Sequence, residues 1–187
     1  MSYMGFNYFL TFFDDFSRKC WIHLLIAQKK KLLKNFIEFH KCINNIFYLN
    51  IRILKSDNGT EYINNNLTNY LNNNGIKFIH SSLVYSQQNS HTERQNQTTD
   101  NCSKVLLNSS KLPLEFLDLA VFCTCHLYNI SPNSVVNYKI PNEVFFKKPV
   151  NIYNLKVFNC KIFFFNNLKS NKFETDSKPG INFRIFS

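Results

Sequence analysis

The chain has 187 residues, enough for one domain or a domain plus a fragment, and a chain of that length buries roughly 70% of its unfolded surface without needing staples. Apolar residues make up 44% and aromatics 16%, with 20 Phe, which excludes a disordered polar chain. The formal net charge of +10 points to polyanionic partners, nucleic acid or an acidic membrane surface, and says nothing about fold. Runs of Asn (Asn64 to Asn66, Asn72 to Asn74) fit AT-rich coding DNA better than a functional Asn ladder.

In chain order, Asn7 to Phe13 is an aromatic and apolar strand, and Cys20 to Ile26 its antiparallel partner across the polar turn Asp14-Asp15-Phe16-Ser17-Arg18. From Gln28 to Phe47 the apolar spacing (Leu33, Phe36, Ile37, His40, Ile43, Phe47) predicts an amphipathic helix. Ile51 to Leu54 is a short strand running into the polar turn Lys55 to Tyr62. A helix follows to about Asn73, with Gly75 as its stop. Ile76 to Ile79 is a further strand, His80 to Asn89 a loop, and from Ser90 or His91 a helix runs to about Leu107. Pro113 opens a helix to about Ile130, Pro132 and Pro141 bracket a loop, and Leu155 to Phe165 is β-rich. This order is an α/β pattern.

The six Cys include no CxxC pair and sit mostly in apolar runs, so they are expected as reduced core thiols of an intracellular protein, in the nucleus or cytoplasm. Cys123, Cys125 and His126 are not expected to bind metal, because residues i and i+2 do not share a helix face. No apolar run approaches the length of a membrane span, and no room precedes the first strand for a targeting peptide.

Two carboxylates stand out. Asp57 follows a strand end, where open α/β sheets place their sites, and Gly59 permits a sharp turn there. Glu93 is expected in the first turn of a helix, where the helix dipole favours its charge. Two such oxygen donors could hold a divalent cation of the kind used in phosphoryl transfer. By themselves a lone Asp and a lone Glu are more often solvated surface groups.

The segments YFLTFFDDFSRKCW (Tyr8 to Trp21), KSDNGTEY (Lys55 to Tyr62), QQNSHTERQN (Gln87 to Asn96), YNISP (Tyr128 to Pro132) and VFNCK (Val157 to Lys161) resemble, in order and spacing, the integrase of copia-type retrotransposons. The resemblance implies a ribonuclease H-like α/β core with three metal-binding acids that joins DNA strands with Mg²⁺ or Mn²⁺. Asp57 matches the second acid and Glu93 the third. The first acid lies on a strand upstream of the segment matched by Tyr8 to Trp21, so the expectation is a core lacking its first strand and inactive alone. Asp14 and Asp15 match the hairpin turn instead.

Where the family's loop carries two Pro and a Gly, this chain has Leu83, Ser86 and Ser90, and a basic pair is replaced by Gln95 and Gln97. Tyr85, Gln87, Gln88, Asn89, Arg94 and Lys104 remain as candidate DNA contacts. The expected domains are a core over 1–149, truncated at its amino end, and the start of an SH3-like domain over 150–187, truncated at its carboxyl end. DNA is the expected partner, with self-association implied by the resemblance. The alternatives are a non-catalytic DNA-binding remnant or a decayed reading frame.

Overall fold

The computed structural model describes residues 5–26, 32–56, 65–80, 86–165 and 177–182, with backbone alone for 80, 86–92, 164 and 165. The hairpin forms as expected. β1 (Tyr8–Phe13) and β2 (Cys20–Leu25) make one two-stranded sheet. Backbone bonds at both ends, Asn7 N–H to Leu25 O at 3.0 Å and Asp14 N–H to Lys19 O at 2.9 Å, make it antiparallel. The turn is built by Asp14, whose carboxylate accepts from Ser17 N–H at 2.8 Å and Ser17 Oγ–H at 2.6 Å.

Helix α1 (Leu32–Phe47) covers the described part of the predicted amphipathic stretch and buries Phe36, Phe39, His40 and Ile43 along one stripe. β3 (Ile53–Ser56) pairs in parallel with β4 (Lys77–His80), Ile53 opposite Lys77 and Ser56 opposite His80. The crossover between them contains α2 (Asn65–Asn73), which buries Leu67 and Leu71. Both strands lie two residues or less from their predicted spans, well within the play of element ends.

Helix α3 (Ser86–Ser110) is followed by a 3-10 turn (Leu114–Phe116), α4 (Leu117–Ile130), a second 3-10 turn (Ser134–Val136) and α5 (Pro141–Phe146), which Pro141 opens in its first turn. β5 (Cys160–Phe165) and β6 (Ser177–Asn182) close the described chain as an antiparallel pair.

Two of the helices, α2 and α3, end with the same pair of backbone bonds. In α2 they run from Gly75 N–H to Asn72 O and from Ile76 N–H to Leu71 O. In α3 they run from Lys111 N–H to Asn108 O and from Leu112 N–H to Leu107 O. Gly75 takes φ +65° and Lys111 φ +56°. Tyr48 after α1 (φ +54°) and Lys147 after α5 (φ +55°) are left-handed as well.

Contacts divide the chain into two compact units. One is drawn from the described residues of Phe12–Ile22 and Thr99–Ser187. Its core is Leu107, Ala120, Cys123 and Phe158, with Leu106, Leu112, Phe116, Leu117 and Leu127 packed on it. Here α3 and α4 meet through small polar residues, Ser103 Oγ donating to Thr99 O at 2.7 Å and lying 3.1 Å from Thr124 Oγ1. Thr99, Ser103 and Thr124 are all buried, so these bonds replace the water they lose. The other unit holds described residues of Gly5–Thr11 and His23–Thr98. In it the rings of Phe36, His40 and Tyr70 pack between α1 and α2.

Candidate metal and nucleic-acid site

β3 ends at Ser56, so the chain reaches position 57 straight from a strand of a parallel pair, as the α/β reading requires. Asp57, Gly59 and Tyr85 themselves lie outside the described residues. Glu93 is described and exposed, and its carboxylate has no hydrogen-bond or ion-pair partner among the described residues. One turn further along α3, Thr11 Oγ1 of β1 lies 2.8 Å from Asn96 Oδ1 and donates to it. That bond ties the Glu93 end of α3 to the hairpin within a single unit.

The placement of Glu93 within its helix differs from expectation. α3 begins at Ser86, so Glu93 is its eighth residue, about two turns in, and no acid occupies the first turn. The macrodipole acts within the first turn, so it gives Glu93 little support. The stretch expected as loop up to Asn89 is helical from Ser86, and Gln87, Gln88 and Asn89 stand in the opening of α3. The cause is visible in composition. Ser86 and Ser90 occupy positions where Pro and Gly would break a helix, so nothing stops α3 from starting early.

Arg94 is exposed, with no described partner for its guanidinium. Lys104 pairs with Asp100 one turn back at 2.5 Å, its side chain still 51% exposed. Such surface pairs are weak, so Lys104 stays available to a phosphate. Lys19 is different. It is 7% exposed, its ammonium donates to Asn142 Oδ1, and it faces the rings of Trp21, Phe145 and Phe146 at 5.3, 5.6 and 4.6 Å. Burial pulls its pKa below the usual lysine value. One of the 22 basic residues is therefore internal and adds nothing to a DNA-binding surface.

Asp14 is committed to its turn, and Asp15 pairs with Arg18 at 3.3 Å. Among the described residues no three His, Cys, Asp or Glu side chains come together to hold a metal ion. Cys123 and Cys125 are buried on α4 as free thiols. Cys125 Sγ–H donates to Cys20 O at 3.4 Å, and its hydrogen bond with Cys20, together with burial, holds the Cys20 thiol protonated.

One buried polar residue gave no functional signal in the sequence. Asn129, near the end of α4, grips the backbone of Cys20 with both amide atoms: Oδ1 accepts from Cys20 N–H at 2.8 Å, and Nδ2 donates to Cys20 O at 2.7 Å.

Comparison with known proteins follows the same lines. Residues 1–85 match the family described as "Integrase core domain". The retrovirus-related Pol polyprotein from transposon TNT 1-94 of Nicotiana tabacum is 35% identical over 159 residues, 85% of this chain. That from transposon RE2 of Arabidopsis thaliana is 28% identical over 160 residues, 86% of this chain. The chain spans only 12% and 11% of those polyproteins.

Among solved structures, the HTLV-2 integrase catalytic core domain in complex with magnesium, in its trimeric form, aligns with a TM-score of 0.51 at 19% identity, over 72% of this chain and 82% of that one. The dimeric form aligns with the same TM-score at 18% identity, over 72% of this chain and 81% of that one. The fold is thus the ribonuclease H-like α/β fold of integrase catalytic cores. Among the described residues, no helix is long and apolar enough to cross a membrane.

Proposed function

Because the chain belongs to the integrase core family of retrotransposon Pol polyproteins of copia type, we propose that it supplies part of an acid site that joins DNA strands with a divalent cation. The observation that carries this reading is the exposed Glu93, unpartnered among the described residues, beside the Thr11–Asn96 tie, with β3 ending immediately before Asp57. Carboxylate oxygens are the donors that hard cations prefer, so Asp57 and Glu93 suit Mg²⁺ or Mn²⁺. A cation held there would activate the attacking oxygen and stabilise the leaving one.

The chain's own share is to hold and to position. Asp57 and Glu93 bring two negative charges, Arg94 and Lys104 neutralise DNA phosphates, and Tyr85, Gln87, Gln88 and Asn89 are the further candidate DNA contacts. Asp14 is no substitute for a third acid, because both its hydrogen bonds to Ser17 hold the turn. Two carboxylates fix a cation poorly, so strand transfer at this site calls for a third acid beside Asp57 and Glu93. The dimeric and trimeric integrase cores it resembles support self-association, and a DNA substrate places its work in the nucleus after synthesis in the cytoplasm. The antiparallel β5–β6 pair supports reading 150–187 as the start of an SH3-like domain after a core over 1–149.

The test is a strand-transfer assay with Mn²⁺ on this chain, on a version extended upstream with the family's first strand and Asp, and on Glu93→Gln in that version. We expect activity in the extended form only, and its loss by at least about a hundredfold in Glu93→Gln, as removal of charge stabilisation in the transition state implies. Undiminished transfer by Glu93→Gln would overturn the site. DNA binding in all three with transfer in none would favour the non-catalytic remnant.

A further inference from the structure

Two buried thiols stand together away from the acid pair. Cys20 opens β2 and Cys125 lies in α4, and they are 2% and 8% exposed. They are 105 positions apart in the chain, yet Cys125 Sγ lies 3.4 Å from Cys20 O. The two thiols are also hydrogen-bonded to each other. Asn129, one turn along α4, holds the Cys20 backbone with both amide atoms, and its Nδ2 lies 3.7 Å from Cys125 Sγ. The same helix thus supplies one thiol and fixes the backbone that carries the other. Cys123 does not share the helix face of Cys125 and packs instead with Leu107, Ala120 and Phe158.

The surroundings make the two thiols unequal. The hydrogen bond from Cys20, the nearby Lys19 ammonium and Asn129 Nδ2 pull the Cys125 thiol below its usual pKa against the opposing effect of burial. The same thiol–thiol bond, together with burial, pushes the Cys20 thiol up. Lys19 donates to a neutral acceptor, Asn142 Oδ1, which leaves its charge to act on the sulfur. Asn142 also lines a cavity of about 300 Å³ with His126 and Ile130, so a molecule little larger than water has room beside this cluster.

We propose that Cys20 and Cys125 form a redox-active dithiol, which a hydroperoxide converts to a disulfide tying β2 to α4 and a thiol reductant releases. Cys125 is the attacking sulfur and Cys20 the resolving one. The Cys125 thiolate attacks one peroxide oxygen, the O–O bond breaks, and hydroxide leaves, giving a sulfenic acid. The Cys20 sulfur then attacks the Cys125 sulfur, the S–O bond breaks, and the Cys20 proton leaves with the oxygen as water. The peroxide takes two electrons, one from each sulfur. Neither thiol belongs to the acid pair, so the proposal stands or falls apart from strand transfer.

The test treats the full chain, reduced, freed of reductant and dilute, with hydrogen peroxide, then counts thiols in denaturant and maps peptides by mass spectrometry. Two of the six thiols should disappear. The peptides carrying Cys20 and Cys125 should be joined, lighter by two hydrogens than their reduced sum, and dithiothreitol should restore both. Unfolded in urea before oxidation, the chain should give that pair in no more than about one molecule in five, its share of the roughly 15 full pairings open to six cysteines. Cys20→Ser should stop Cys125 at the sulfenic acid, trapped by dimedone, and Cys125→Ser should leave Cys20 unlabelled. Circular dichroism checks both variants, and the comparison of folded with unfolded parent needs neither. The oxidised chain should also show a higher urea midpoint, because a bond between residues 105 positions apart restricts the unfolded chain. Survival of all six thiols, linkage of either cysteine to a different one, or equal yield of the pair from folded and unfolded chain would overturn the proposal. So would dimedone labelling of Cys20 in place of Cys125.

Discussion

Replacing Asn129 by Ala removes both atoms that hold the Cys20 backbone. Cys20 is 2% exposed and Asn129 6%, so water does not replace them. The Cys20 N–H loses the Asn129 Oδ1 that accepts it at 2.8 Å and is left buried without that partner. The Cys20 carbonyl loses Nδ2 at 2.7 Å but keeps the weak Cys125 Sγ–H donor at 3.4 Å. A buried group left without a partner costs about 1–3 kcal/mol, so the full orphan and the half-satisfied carbonyl together cost about 2–4 kcal/mol. Against a total stability of about 5–15 kcal/mol that is a large share. For a chain of this size it lowers Tm by about 5–15 °C. Urea unfolding followed by circular dichroism measures it. Asn129→Asp adds a sign test: protonated, its carboxyl can both accept from N–H and donate to the carbonyl, whereas the carboxylate faces the Cys20 oxygen without a proton. Its deficit should therefore shrink as pH falls. An Asn129→Ala loss under about 0.5 kcal/mol, with unchanged m-value, would refute the clamp.

Asp14→Ala should cost about 1–2 kcal/mol through the two bonds to Ser17, and should leave Mn²⁺ affinity by calorimetry unchanged, because Asp14 serves the turn. His40 predicts a pH dependence. Its Nε2 accepts from Asn44 Nδ2 at 3.1 Å, which leaves the proton on Nδ1 to donate to Tyr70 Oη at 3.0 Å, and burial lowers its pKa from the ordinary 6.5. The unfolded chain then binds the proton more readily, so stability is complete above pH 6.5 and is lost as pH falls through the lower folded value. His23 and His126 are lowered by burial too, so His40→Gln should flatten the fall in Tm between neutral and mildly acid pH without abolishing it.

Elements with strong local patterning were legible in the sequence. The β1–β2 hairpin follows from two apolar runs around Asp14-Asp15, the stripe of α1 from its 3.6-residue period, and the stop after α2 from Gly75. β6 was not legible: SKPGIN has a Pro, a Gly and no alternation, and is a strand because β5 pairs with it. The early start of α3 escaped because the polar stretch His80 to Asn89 has little periodicity and reads as a loop, although Ser86 and Ser90 stop no helix. For the site, the sequence singled out Glu93 and the strand end before Asp57, since both rest on local signals. It could not show the Thr11–Asn96 tie or the Asn129 clamp, which join residues 85 and 109 positions apart.

The matched ends of α2 and α3 carry a consequence for how the gene's base composition reaches the backbone. Glycine is encoded by GG-initial codons, and this Asn- and Lys-rich chain has only four glycines. Gly75 closes α2 without steric penalty, but Lys111 closes α3 in the same motif, and Tyr48 and Lys147 take the same left-handed turn after α1 and α5. A side chain in that conformation costs about 1–2 kcal/mol. Three helix ends thus consume about 3–6 kcal/mol, comparable to the whole margin of a weakly stable domain. The scarcity of one residue type is thus felt in the backbone, as a stability cost at helix ends where side chains stand in a conformation that glycine takes freely.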